Sequence, residues 1–190
     1  MDVFAHGLWA GAAAKAANKN SAIAGKIKKP LSIWQSVIWG VFPDIFAFTL
    51  PFAWLFWNLV FGDLNFSNFP RPENMEPAIH DTLPVFQLAS TLYNISHSLI
   101  VFVVIFILIA VILHLKLRRI PWEMSGWLLH ILIDIPTHSY RFYPTPFLWP
   151  FSEWKFNGFS WGTPWFLILN YAAIVLVYWI LRRNKNKSML

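Results

Sequence analysis

No cysteine occurs among the 190 residues. That excludes a disulfide framework and any thiolate zinc site, so a metal would have to be held by histidine and carboxylate. Charged residues are scarce at 13%, and no internal repeat, glycine-rich phosphate loop or low-complexity linker is present. Met1 to Leu8 lacks the basic leader of a secretory signal, so a cleaved signal peptide is not expected. What remains is 57% hydrophobic and 18% aromatic with a mean hydropathy of +0.49, a membrane composition of single-domain length spanning residues 1–190. The net charge of +6 is not a nucleic-acid footprint, because the bases sit in short clusters flanking apolar runs.

Polar groups inside apolar sequence carry the functional signal. In the run from Trp127 to His138, His130, Asp134 and His138 follow at i, i+4 and i+8, and a helix stacks them along one face. Pro136 disfavours helical geometry at Ile135, so His138 is expected in a broken turn beyond the helix. An alanine-rich helix from about Val3 to Ala17 places His6 on a face with Ala10 and Ala13.

Four crossings are expected: Leu31 to Gly62, Pro84 to Leu115, Pro121 to about His138, and Phe159 to Leu181, with the short N-terminal helix inserted from the cytoplasmic side. The first is expected to break at Pro43-Asp44, where irregular backbone would face an interior site. Residues 63–83 read as an outer acidic loop, and residues 139–162 as an aromatic loop in the headgroup zone. Twelve of the fifteen basic residues fall within 15–29, 116–119 and 182–187. Consistent crossing puts all three clusters on one face, which the positive-inside rule makes cytoplasmic, together with the C-terminus. The expected fold is therefore an all-α, multi-pass helix bundle of the inner (plasma) membrane.

Counted from the nearest cytoplasmic charge at ~1.5 Å per residue, His6, Asp44, His97, His130 and Asp134 lie roughly 14–28 Å deep. Four segments thus offer imidazole or carboxylate at compatible depths. Only Asp44 and Asp134 of the nine acids sit inside apolar runs; a carboxylate there needs a partner, and a cation would neutralise both. His80 in the acidic loop and His114 at a basic edge are read as structural.

These residues resemble a known family, the bacterial LexA-regulated, membrane-bound metal-dependent hydrolases, distantly similar to zinc-dependent phospholipase C. The resemblance covers most of the chain. It is carried by His6, Pro43-Asp44, His97-Ser98-Leu99, His130-x-x-x-Asp134 and Leu148-Trp149-Pro150-Phe151-Ser152. Where the family often has a second Asp after Pro-Asp, this chain has Phe46; where it has an Arg shortly before His-Ser, Tyr93 to Ser96 stand; and its usual Thr-Pro-x-Gly is Pro136-Thr137-His138-Ser139. The resemblance implies metal-dependent hydrolysis.

The histidine and carboxylate set suits a divalent metal, zinc by ligand chemistry. The expected ligands are His6, Asp44, His97, His130 and Asp134, with His138 auxiliary, and Asp44, His97 and Asp134 are the candidates for catalytic roles. Ser98 and Arg141 are candidates for substrate binding, since a guanidinium pairs bidentately with a phosphate. The expected substrate is a membrane lipid or another phosphoester, with no nucleic-acid partner. Two other classes fit the same residues: a proton- or ion-coupled transporter, and a non-catalytic protein whose metal staples helices.

Overall fold

The computed structural model describes residues 1–27, 29–62, 84–141 and 143–186, the side chains of residues 86 and 184–186 excepted. The acidic loop read at 63–83, with His80, lies outside the described residues. Within them are seven α-helices and one short 3-10 turn: α1 Val3–Lys19, α2 Ser21–Ile27, α3 Ile33–Phe61, α4 Pro84–Ser96, α5 Leu99–Leu117, the 3-10 turn Trp122–Met124, α6 Ser125–Thr137 and α7 Pro164–Asn186. The all-α membrane bundle stands.

Its helix starts follow local chemistry. The Asp2 carboxylate accepts from Ala5 N at 3.0 Å to cap α1, and the Ser32 hydroxyl accepts from Gln35 N at 3.4 Å to cap α3. Among the described residues, three helices are long and apolar enough to cross a membrane: α3, α5 and the Pro164–Arg183 part of α7. At ~1.5 Å per residue they run about 44, 29 and 30 Å against a hydrocarbon core of ~30 Å. Their outer faces stay apolar and exposed, as at Phe52, Phe56, Val104, Leu108, Ile168 and Val175. Buried polar side chains instead gather at the centre, the inverse of a water-soluble protein.

Three sequence expectations change. The crossing read from Pro121 to His138 is a 3-10 turn followed by a helix of 13 residues, about 20 Å long, too short to span alone. The span read from Pro84 to Leu115 is two helices parted at His97-Ser98. The break read at Pro43-Asp44 is absent: α3 runs unbroken through both Pro43 and Pro51. Packing against α1, α4 and α6 supports the continuous helix at positions where proline would break an isolated one.

Backbone groups freed by the real break are satisfied inside the protein, as the membrane requires. The Ser98 hydroxyl accepts from Ile100 N and Val101 N, each at 3.2 Å, and donates to the Trp149 carbonyl at 2.5 Å. Leu99 N donates to Phe147 O at 3.0 Å, and Trp127 Nε1 donates to Ser96 O at 2.6 Å. At the other end of α6, Phe159 N, Trp161 N and Gly158 N donate to the carbonyls of Pro136, Thr137 and His138 at 2.8–3.1 Å. The aromatic loop thereby closes the end of α6.

Two glycines set how tightly the centre packs. A Cβ at Gly40 would lie 2.5 Å from Ala10 Cβ and 3.0 Å from the His6 carbonyl, and one at Gly126 would lie 3.0 Å from Gly40 N. Helices α1, α3 and α6 therefore approach backbone to backbone, as small residues allow in membrane bundles. Around this junction Phe102, Met124, Trp127 and Ile131 form one apolar cluster, and Met1, Ala5 and Ile174 another.

Candidate metal centre

The junction carries the polar residues inward. His6 enters from α1, Asp44 from α3, His97 from the interruption between α4 and α5, and His130 and Asp134 from one face of α6. His6, His97, His130 and Asp134 are at most 1% exposed, and Asp44 is 7% exposed.

Hydrogen bonds fix the imidazoles. His130 Nδ1 lies 2.7 Å from Gly40 O, and His97 Nδ1 lies 3.2 Å from Tyr93 O and 2.9 Å from the Ser96 hydroxyl. Ser96 Oγ itself donates to Pro43 O at 3.2 Å. A carbonyl can only accept, so the proton of each ring sits on Nδ1 and each Nε2 turns a lone pair toward the centre. This is the outer-sphere pattern of metal-ligating histidines.

The inner atoms then form a compact set. His97 Nε2 and His130 Nε2 are 3.1 Å apart; Asp44 Oδ1 is 3.6 Å from both; Asp134 Oδ2 is 3.5 Å from His97 Nε2 and 3.1 Å from His130 Nε2. A tetrahedron with zinc bonds of ~2.0–2.1 Å has edges of about 3.3–3.4 Å. Those five distances bracket that value, so the residues fit a divalent metal. Asp44 Oδ2 and Asp134 Oδ2 are buried without a hydrogen-bond donor. The Met1 α-amino group contacts Asp134 Oδ1 and leaves Asp44 without a full cationic partner, a charge that a divalent cation at this group would balance. Asp44, His97, His130 and Asp134 are thus a group that could hold a metal ion.

Other candidates fall at different distances. His6 stacks on His130 with ring centroids 3.5 Å apart, and its Nε2 is 2.9 Å from Asp134 Oδ1. The expected break at Ile135-Pro136 is absent, since α6 runs through Pro136 to Thr137, and His138 caps its end with Nε2 3.4 Å from the same oxygen. The Ser98 hydroxyl is taken up by capping α5 and by Trp149 O. Arg141 is exposed on the loop beyond α6. His114 is exposed in the last turn of α5, outside the cluster.

Residue patterning could not point to Tyr93, Ser96 and Gly40. Tyr93 stacks on His97 at 3.8 Å between centroids, and two of these three act through main-chain carbonyls, which every residue carries. The glycine before Pro43-Asp44 was the one available signal.

No curated protein matches the chain, and no solved structure does. The family model described as the YdjM inner membrane protein matches residues 1–190, and the chain belongs to that family.

Proposed function

We propose that the protein is a multi-pass membrane hydrolase using a divalent metal, with zinc best suited to two imidazoles and two carboxylates. One observation carries this reading: four acceptor atoms converge at 3.1–3.6 Å in a buried site without a donor among them. A bound divalent cation would supply Lewis acidity toward a phosphoryl oxygen and bring the pKa of a water toward ~7.

The chain's own residues do the rest. Asp44 is the most open of the four, its side chain 10% exposed against 1% or less for the others, and its Oδ2 lacks a partner. It is placed to take a proton from an incoming water. His97 and His130, anchored at Nδ1, hold their Nε2 atoms fixed, and Asp134 completes the charge balance. Arg141 is assigned to the anionic headgroup of a phosphoester-bearing lipid reaching the site from the bilayer. Ser98 has no part in this scheme. The C-terminus is taken as cytoplasmic, a reading that the basic residues at 182–187 support through the positive-inside rule.

The test is elemental analysis of protein extracted in mild detergent, with hydrolysis of a phospholipid panel. Wild type is expected to carry bound metal and release headgroup, and His130→Ala to lose metal with at least a hundredfold of the activity. A His130→Ala protein with full metal and full activity sinks the assignment. Pumping of ions in proteoliposomes without hydrolysis would favour a transporter instead.

A further inference from the structure

Asp134 divides its two oxygens between different neighbours. Oδ2 faces His97 and His130, within the group just described. Oδ1 points the other way, to His6 Nε2 at 2.9 Å and His138 Nε2 at 3.4 Å. These two histidines belong to neither the tetrahedral edges nor the chemistry assigned above.

Each brings a ring nitrogen beside Asp134 Oδ1. His138 Nδ1 lies 2.7 Å from Tyr143 O, an acceptor, so its proton is on Nδ1 and the Nε2 lone pair faces the Met1 amine. His6 is 1% exposed, yet neither of its ring nitrogens makes a hydrogen bond. At 2.9 Å from Asp134 Oδ1 its Nε2 is close enough to bond but wrongly angled to do so, as expected where a nitrogen and an oxygen aim at a common third point. The stacked rings of His6 and His130 thus serve the two oxygens of one carboxylate. A cationic group already fits beside Oδ1: the α-amino group of Met1 contacts that oxygen and lies 3.0 Å from His138 Nε2.

We propose that His6, His138 and Asp134 Oδ1 form a second divalent-cation site, joined to the first through the Asp134 carboxylate. The second site draws on three protein ligands, and a cation there would displace the Met1 amine and add its Lewis acidity to that of the first. Two divalent cations against two carboxylates and neutral imidazoles leave an excess of positive charge, which favours an anionic substrate such as a phosphoester. The inference rests on the metal-site reading above and extends it to a pair.

The test uses the full chain in detergent, stripped with chelator and reloaded with Zn²⁺, with metal counted per chain. Two equivalents are expected for wild type and one for His138→Ala and for His6→Gln. A wild-type stoichiometry of one, unchanged in both variants, overturns the second site and leaves the first intact; the Met1 amine then keeps that place. No bound metal at all overturns both. Two equivalents without phospholipid hydrolysis uphold the pair and sink the hydrolase reading alone. Loading wild type with Mn²⁺ guards against variants that fail to fold. A carboxylate-bridged pair gives an exchange-coupled paramagnetic resonance spectrum, and the six-line signal of isolated ions at full loading refutes the bridge.

Discussion

Gly40→Ala probes the junction on which the centre depends. The added methyl carbon would sit 2.5 Å from Ala10 Cβ and 3.0 Å from the His6 carbonyl, whereas carbons in contact prefer about 3.5–4.0 Å. Relief requires α1 and α3 to part by roughly 1 Å. Neither neighbour can yield by rotating, because one is backbone and the other a Cβ. Overpacking of this kind costs about 1–3 kcal/mol, or roughly 2–12 °C in unfolding midpoint for a chain of this length. The shift also separates His6, one turn from Ala10, from Asp134, so metal affinity should fall together with stability. Thermal unfolding in detergent followed by tryptophan fluorescence reads the first effect, and competition against a chromophoric chelator the second. Gly25→Ala is the control: no atom lies within 4 Å of its added Cβ, and alanine in helix α2 should be neutral or stabilising by up to ~1 kcal/mol. A Gly40→Ala protein with wild-type midpoint and affinity would refute the close approach of α1 and α3.

Other expectations are as direct. Removing metal with a chelator should lower the unfolding midpoint by about 5–11 °C, from roughly 2.7 kcal/mol of linkage at a hundred times Kd; Asp44→Asn should largely abolish that response, and a midpoint indifferent to chelator would contradict the site. Protons compete with metal for the Nε2 atoms, so occupancy should fall as pH is lowered and return as it is raised, checked by equilibrium dialysis across pH. Trp127→Phe leaves Ser96 O without its 2.6 Å donor, and should cost about 1–3 kcal/mol, measured by the same unfolding assay.

The sequence made the polar part of this bundle legible and hid much of its backbone. His130 and Asp134 could be paired because the i, i+4 interval survives any tilt of a helix. His6, Asp44 and His97 could be grouped with them because a charge or imidazole deep in an apolar run has few other uses. Breaks were the opposite case. Pro43 advertises one that packing by three helices suppresses, whereas the break at His97-Ser98 carries no proline or glycine to mark it. Ser98 ahead of an uninterrupted apolar stretch was a legible cap, but its hydroxyl also suited a substrate role. The short α6 was overread as a crossing, since residue counting gives apolar length and not where α6 gives way to the 3-10 turn. The carbonyls that set the imidazole tautomers had no side-chain signature.

The inner atoms come from positions 44, 97, 130 and 134, so no two neighbouring helices alone can complete the centre. A chain inserted as far as α5 holds only Asp44 and His97 of the four, and only after α6 has docked do the acceptor atoms meet. The site is therefore built from contacts far apart in sequence, the kind that form late. Metal acquisition should then be the closing event of assembly, carried out by a bundle already folded in the bilayer. Until that moment, the buried Asp44 carboxylate keeps an oxygen without a partner, a built-in distinction between finished and unfinished copies.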